Sequence, residues 1–443
     1  MKIYIETLGC PKNEIDSEVA AGILEAAGHT IIEDPKAADG IIVNTCGFIN
    51  DAKKESISRI FEMAEYKKKD GILIVSGCLS QRYNEELYKE MPEVDIFIGV
   101  NDYSDLPEIL RNHITGNRAR YLTTCKNVFL ETGYRKRIGP SYSSTIKISE
   151  GCDNVCAYCV IPSIRGPYRS RRMEDIISEA KQLAISGCKE LIIVAQDVTA
   201  YGKDIYGKYR LASLVRELCK VDGIYWIRLM YCYEDRITDE LIQVIAEEDK
   251  VCNYIDIPIQ HVSDKILKAM NRRSTKSSIK NTIARLRKAI PDIHIRTTLI
   301  TGFPGEDKHD FEELLDFIEK EKFERLGVFA YSKEEGTPAA KMKKQVREEI
   351  KIRRAEIIME KQLKISLHSN ENKIGSTLEV LVEEVEGDGN YVGRSRYDAP
   401  EIDNSVLFTS SKKLKPGDIV NVKIIDAFDY DLVGRMEESD ESA

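Results

Sequence analysis

From residue 2 to about residue 332, short apolar runs alternate with helical patterns, and after about residue 370 the helical patterns stop. Alternation of this kind requires parallel strands, because each helix carries the chain back to the same end of the sheet. The first stretch reads as strands over 2–7, 40–44, 71–76 and 94–100, with helices over 14–27, 51–69 and 83–89. A polar stretch over 133–142, carrying Arg135, Lys136, Arg137 and Pro140, reads as a linker. The middle repeats the alternation more strictly, with six strands over 145–149, 190–196, 226–231, 254–260, 294–301 and 325–332, separated by helices such as 174–186 and 276–289. Six β/α units suggest a partial, open version of the eight-fold barrel, whose chemistry sits at the C-terminal ends of its strands. A long charged helix over about 345–369 follows. Five short strands come last, over 377–385, 391–395, 406–409, 418–427 and 432–436, and suggest a small antiparallel barrel of the OB-like kind. The expected fold class is α/β, with an N-terminal open parallel-sheet domain (1–132), a central partial (β/α)6 barrel (133–370) and a C-terminal β-barrel (371–443).

Directly after the first barrel strand comes Cys152, then Cys156 and Cys159, in the spacing C-x-x-x-C-x-x-C. Iron–sulfur clusters are held by Cys thiolates, usually four. Three thiolates fill three corners of an iron–sulfur cube and leave one iron open to a non-protein ligand. Zinc sites favour C-x-x-C pairs with four ligands, and no fourth Cys or His lies close by in the sequence. A zinc site or plain buried thiols are the competing readings.

Cys10, Cys46 and Cys78 are far apart in sequence, yet each follows an expected strand. In a parallel sheet all three thiols leave the same edge, where open α/β sheets bind ligands. They are read either as ligands of a second cluster or as small buried hydrophobic residues. Gly9 and Gly77 beside them permit close approach of backbone to a bulky group. Cys188, Cys219, Cys232 and Cys252 read as packing residues, and Cys125 falls in a stretch without a pattern.

Composition narrows the classes further. The chain has 443 residues, 42% of them hydrophobic, which is enough for several domains with sizeable cores. A formal net charge of −9 argues against a generally basic nucleic-acid binder. No apolar stretch approaches a membrane span, and the first residues read as a strand and not as a signal peptide. Eleven Cys, an odd number, fit a reducing cytoplasm better than a disulfide framework.

The motif from Glu150–Gly151–Cys152 through Cys159, with Ile161–Pro162 and Arg165–Gly166 after it, resembles the cluster signature of radical S-adenosylmethionine (SAM) enzymes. Gly9–Cys10, Asn44–Thr45–Cys46–Gly47 and Ser76–Gly77–Cys78 resemble the N-terminal cluster pattern of the methylthiotransferase family among them. Gln196–Asp197, Pro258–Ile259–Gln260–His261 and Thr301–Gly302–Phe303–Pro304–Gly305–Glu306 resemble later segments of that family. The resemblance covers essentially the whole chain. It implies a TRAM domain at the C-terminus, two 4Fe-4S clusters, and SAM contacts at Tyr158, Gln196, Asp197, Gln260, His261, Gly302 and Gly305. Cys152, Cys156 and Cys159 would hold the radical cluster, and Cys10, Cys46 and Cys78 the auxiliary one.

Within the family, Gly9–Cys10–Pro11–Lys12–Asn13, Phe48–Ile49 and Arg165–Gly166–Pro167–Tyr168–Arg169–Ser170–Arg171 resemble the branch that modifies an aspartate of ribosomal protein S-twelve. Val392–Gly393–Arg394–Ser395 and Asp398–Ala399–Pro400–Glu401–Ile402–Asp403 do so too. The tRNA-modifying branch typically has Gln–Met where this chain has Pro11–Lys12. Asn404 departs from the usual Gly, and is expected to serve the same left-handed turn.

The resemblance implies insertion of a methylthio group at an unactivated C–H bond. A 5′-deoxyadenosyl radical takes hydrogen from the aspartate β-carbon, the auxiliary cluster carries the sulfur, and a second SAM supplies the methyl group. A flavodoxin or ferredoxin would supply electrons. The alternatives are a tRNA adenosine methylthiotransferase, with Arg169–Ser170–Arg171–Arg172 as a phosphate patch, and a non-catalytic iron–sulfur or zinc-binding RNA module. The segment 371–443 carries about 17 Asp plus Glu against about 8 Lys plus Arg, about −9 by difference. That suits a basic protein and repels phosphates, making tRNA the poorer partner.

Overall fold

The structure is a computed structural model that describes residues 1–113, 116–123 and 135–437. Cys125 and the end of the acidic tail, after Glu437, lie outside the described residues.

The N-terminal sheet contains β1 (Lys2–Thr7), β2 (Thr30–Ile31), β3 (Gly40–Thr45), β4 (Ile72–Ser76), β5 (Ile96–Ile98) and β6 (Ala119–Tyr121). They are all parallel, in the order β2-β1-β3-β4-β5-β6. β3 and β4 are buried along their whole length, as near-continuous apolar runs in a sheet covered on both faces should be. Ala20 and Leu24 of helix Pro11–Ala26 pack with Ile3, Ile42 and Ile74 on one face. Ile60 and Met63 of helix Asn50–Tyr66 pack with Ile41, Val43 and Leu73 on the other. The pairings Thr7↔Asn44 and Asn44↔Ser76 bring three strand ends level. Strands β2 and β6 and helix Leu106–Asn112 were not legible, because each is too short to show a period. The helix expected over 83–89 runs Gly77–Glu90, its pattern interrupted by a kink at Tyr83.

The central sheet contains β7 (Ser143–Lys147), β10 (Glu190–Val194), β11 (Trp226–Leu229), β12 (Val251–Asp256), β13 (His294–Thr301) and β14 (Arg325–Ala330). Its order is β14-β13-β12-β11-β10-β7, parallel throughout and open between β14 and β7. A two-stranded ribbon, β8 (Ser149–Glu150) and β9 (Arg169–Ser170), brackets the Cys152–Cys159 loop. The N-terminal domain reaches the barrel at both outer strands. Asp16 meets Lys147 of β7 at 2.7 Å, and Glu334, beyond β14, meets Lys53 and Arg82 at 2.8 Å each. The described part of the expected linker is pinned: Arg135 is buried beside Glu18 and Glu179, and Arg137 donates to the Ser141 and Ser143 carbonyls.

The C-terminal barrel contains β15 (Thr377–Gly387), β16 (Asn390–Ser395), β17 (Val406–Thr409), β18 (Ile419–Ala427) and β19 (Leu432–Met436), closed in the order β15-β16-β17-β19-β18. It is not antiparallel throughout. β18 lies between β17 and β19 in the chain, so those two run the same way and their pair, which closes the barrel, is parallel.

This small barrel seals the floor of the large one. Arg394 reaches Glu190 with both guanidinium nitrogens, at 3.1 and 2.6 Å, and Arg228 donates to the same carboxylate at 2.9 Å. Arg325 pairs with Asp398, Tyr254 donates to Asp403 at 2.6 Å, and the Trp226 indole donates to Glu379 at 2.9 Å. Leu381 and Ala399 join Ile15, Val19, Ile192 and Trp226 in one apolar cluster, so all three units share a core. The left-handed residue of the connecting turn is Glu401, at φ 65°, and not Asn404.

Candidate active site

Strand register builds the first thiol group. Cys10, Cys46 and Cys78 follow β1, β3 and β4 by one to three residues, so all three leave the same sheet edge. The turns are tight. A side chain at Gly9, at φ +98°, would sit 2.7 Å from the Cys46 Cβ, and one at Gly47 would sit 2.7 Å from the Leu79 Cα. Asn13 donates to the Leu8 and Thr45 carbonyls at 2.8 and 3.2 Å and stitches two of the turns together.

The second thiol group lies on the loop after β7 and β8. The Cys152 amide donates to the Gly166 carbonyl at 3.1 Å, Ala157 donates to Met270 at 2.8 Å, and Ala339 donates back to Ala157 at 2.8 Å. Asn271 holds the Val155 carbonyl at 2.8 Å. Asp197, buried at the end of β10, accepts from Asn154 inside the loop at 2.8 Å and pairs with Arg236. Arg236 also holds Asn154 at 2.9 Å.

Between the two groups lies a buried charge network. Arg165 donates to Asn13 at 2.8 Å, to Asp16 at 2.9 Å and to the Cys78 sulfur at 3.4 Å, while its other nitrogen reaches Glu150 at 3.2 Å. Lys147 pairs with Asp16 and Glu150 at 2.7 Å each. Burial alone would push the Glu150 carboxyl up, but Lys147 and Arg165 outweigh it and hold it low. One guanidinium thus joins a residue of the first thiol group to the residue two before Cys152.

Burial pushes the Cys46 and Cys152 thiols up to about 11 and the Cys159 thiol up to about 12. It raises Cys78 as well, against the pull of Arg165. A nucleophilic cysteine needs the opposite shift. These thiols become thiolates only with a metal charge beside them, which deprotonates a coordinating thiol outright. No three Cys, His, Asp or Glu side chains among the described residues close up around the position of a single ion.

The remaining candidates divide. Tyr158 is half-buried in the Cys loop, with its hydroxyl 3.4 Å from Arg272 and its ring edge-on to Phe303 at 6.4 Å. Gln196 donates to Glu150 at 2.9 Å and leaves its own Oε1 buried without a partner. Gln260 is left-handed at φ 68°, and its amide and carbonyl bond to Thr298 and Ile300 of β13. His261 is fully buried. Its Nδ1 accepts from the Ser263 amide at 3.0 Å, and its Nε2 lies 3.6 Å from Glu306. Glu306 also accepts from the Gly302 amide at 2.7 Å and from Arg354 at 2.6 Å. Gly302 packs on the Lys351 side chain, while nothing crowds Gly305. His261, Gly302 and Glu306 thus form a knot of their own, joined to the Cys loop through Phe303 and Tyr158. Arg236, Arg272 and Lys12 were not expected here, since a lone cation in a sequence reads as a solvated surface residue.

Comparison with known proteins decides the family. The ribosomal protein uS12 methylthiotransferase RimO of Clostridioides difficile is 51% identical over 436 residues, 98% of each chain. Its counterparts in Acetivibrio thermocellus and Geobacter sulfurreducens are 50% and 48% identical, again over 98% of each chain. The chain belongs to the RimO family. It is a radical SAM methylthiotransferase by that membership. Residues 2–99 match Uncharacterized protein family UPF0004, residues 146–318 the Radical SAM superfamily and residues 374–436 the TRAM domain. The radical SAM methyltransferase TsrM of Kitasatospora setae, solved with tryptophan and a SAM analog, shares the fold at TM-score 0.56 and 12% identity. That match covers 87% of this chain and 79% of TsrM. The RimO family thus unites the N-terminal sheet, the radical SAM barrel and the TRAM barrel described above.

Proposed function

We propose that this enzyme places a methylthio group on the β-carbon of an aspartate of ribosomal protein uS12, using two 4Fe-4S clusters and two SAM. The observation that carries this reading is the Arg165 network, which sets one thiol triplet against the other across a buried, water-poor contact. Cys152, Cys156 and Cys159 would hold the radical cluster, and Cys10, Cys46 and Cys78 the auxiliary one. When bound, the clusters and SAM supply homolytic SAM cleavage, the sulfur and the methyl group. The protein's part is to hold and shield. Arg165, Asp16 and Lys147 fix the spacing of the triplets, and Asp197 with Arg236 shapes the Cys loop. Gln196, with its open Oε1, Gln260, Tyr158 and the uncrowded Gly305 are assigned to SAM. Asp197, His261 and Gly302 serve SAM by holding the loops that reach it. The three units are taken as 1–132, 133–370 and 371–443.

The partner is a basic protein, and the acidic C-terminal barrel supports this through charge complementarity. Flavodoxin or ferredoxin is the assigned electron donor, and the cytoplasm the assigned site of action. No described helix is long and apolar enough to cross a membrane. The tRNA reading is weakened at Arg171, which is buried against Glu179 and unavailable to a phosphate. The test is mass spectrometry of uS12 and of tRNA from cells with and without this gene. Loss of the methylthio group from uS12 is expected. Loss from tRNA with uS12 unchanged would replace this reading.

A further inference from the structure

Lys12 is a buried cation without a counter-ion among the described residues. It is 8% exposed. Its Nζ lies 3.4 Å from the centroid of the Tyr231 ring and 3.5 Å from the Ala195 carbonyl, and no carboxylate of the described residues stands within 4.0 Å. Every other buried Lys or Arg among the described residues has such a carboxylate: Lys147 has Asp16, Arg228 has Glu190, Arg272 has Glu234, and Lys351 has Glu348. Taking an ion out of water costs several kcal/mol in general, and a desolvated cation–π contact returns only about 2. A fold that pairs its other buried cations leaves this one unpaired.

Its position says what the charge is for. Lys12 stands two residues after Cys10, on helix Pro11–Ala26, and its side chain crosses to the barrel. Ala195 and Tyr231 lie just past the C-terminal ends of β10 and β11, the end where such barrels do their chemistry. Tyr231 is held as a platform. Its backbone is left-handed at φ 59°, a strained state for a residue with a side chain, and its amide is bonded to Asp256 at 3.0 Å. The ammonium therefore sits next to the turn that carries Cys10, at the barrel end from which the Cys152–Cys159 loop also leaves.

We infer that Lys12 receives the side-chain carboxylate of the acceptor aspartate, and so sets the specificity for aspartate. The inference rests on the function proposed above. A cation on that carboxylate fixes the neighbouring β-carbon in one orientation, which is the positioning that hydrogen abstraction needs. SAM also carries a carboxylate, but the family resemblance commits that group to the open iron of the radical cluster. The aspartate carboxylate is therefore the one left for Lys12, and the two are separated by experiment.

The test uses the cluster-loaded enzyme without reductant and two peptides spanning the uS12 acceptor, one with aspartate and one with asparagine in its place. Wild type should bind the aspartate peptide more tightly by roughly tenfold to a hundredfold, the usual worth of a hydrogen bond to a charged group. K12M and K12Q should lose that preference, and K12R should keep most of it. Iron content and SAM affinity should stay at wild-type values. K12M should also melt higher than wild type, since an unpaired buried charge is gone; a residue needed only for packing would melt lower. Retained aspartate preference in K12M and K12Q overturns the inference. So does loss of SAM affinity or of iron in both variants, which would assign the charge to SAM or to the cluster pocket. If wild type leaves uS12 untouched and modifies tRNA, the proposed function fails and Lys12 goes with it. If wild type modifies uS12 and the variants do not differ from it, only the Lys12 assignment fails.

Discussion

Substituting Glu190 by Gln should detach the floor of the central barrel. Glu190 is fully buried at the start of β10, between Arg394 of the C-terminal barrel and Arg228 of β11. Burial alone would push its carboxyl up, but Arg394 and Arg228 outweigh this and hold it down to about 2, from 4.5. A difference of that size, at about 1.4 kcal/mol per pH unit, is worth about 3 kcal/mol. Mutational experience with broken buried ion pairs gives a similar figure, about 3–5 kcal/mol, because the arginines are left charged without a partner. A depressed folded-state pKa means this stabilisation is complete above about pH 4.5 and is lost as the pH falls toward about 2. The chain carries its own probe, since Trp226 is its single Trp and its indole bonds to Glu379 across the same interface. Urea titrations followed by Trp226 fluorescence should show an earlier transition in E190Q at pH 7, with the gap to wild type closing on acidification. The double variant E190Q/R394Q should lose less than the sum of the two single variants. An E190Q transition coincident with wild type at pH 7, or strict additivity, would refute the reasoning.

The two thiol groups should have separable roles. Alanine at Cys152, Cys156 and Cys159 is expected to abolish SAM cleavage. Alanine at Cys10, Cys46 and Cys78 should leave abortive cleavage and stop sulfur transfer, with iron falling by about half in either triple variant; full iron in the N-terminal variant would remove the second cluster. R165M leaves Asp16 and Glu150 to share Lys147 alone, so the N-terminal domain should loosen by about 3 kcal/mol. Limited proteolysis reads this directly, and wild-type resistance would count against the network. Reversing the exposed charges Glu384, Glu386 and Asp388 to Lys should weaken binding to uS12 and flatten its salt dependence. Unchanged affinity would make the acidity merely solubilising. Glu383 is left out because it carries Arg394 at 2.9 Å.

Much of the fold was legible because its strands are short apolar runs with clear helices between them. The strands at His294–Thr301 and Leu432–Met436 and the helix Lys276–Ala289 fall where their patterns end. The convergence of Cys10, Cys46 and Cys78 was legible too, since a parallel sheet fixes which edge a strand-end residue leaves. What stayed hidden is what depends on contacts between distant segments. Arg165 reads as part of the motif that follows the Cys triplet, with no role of its own, and only the docked helix Pro11–Ala26 turns it into a link between the triplets. The parallel pair of β17 and β19 is a matter of closure, which no local pattern records.

The C-terminal signature is taken up inside the fold. Arg394, Ser395, Asp398 and Ala399 are buried, and with Asp403 they spend their polar groups on the central barrel and on one another. A residue so placed selects a partner only by holding another surface in position. Discrimination between protein and RNA therefore has to come from groups that meet the acceptor. We assign that part to the acidic turn at Glu384–Asp388, which is exposed, and to Lys12 at the C-terminal end of the barrel strands. The first sorts partners by net charge over nanometre distances, and salt weakens it. The second would sort one side chain from another at contact range, where burial leaves it less screened by salt. A protein substrate that is basic as a whole and presents one acidic residue at the mouth satisfies both, whereas a phosphate backbone, whose anionic oxygens could also meet an ammonium, is repelled by the first.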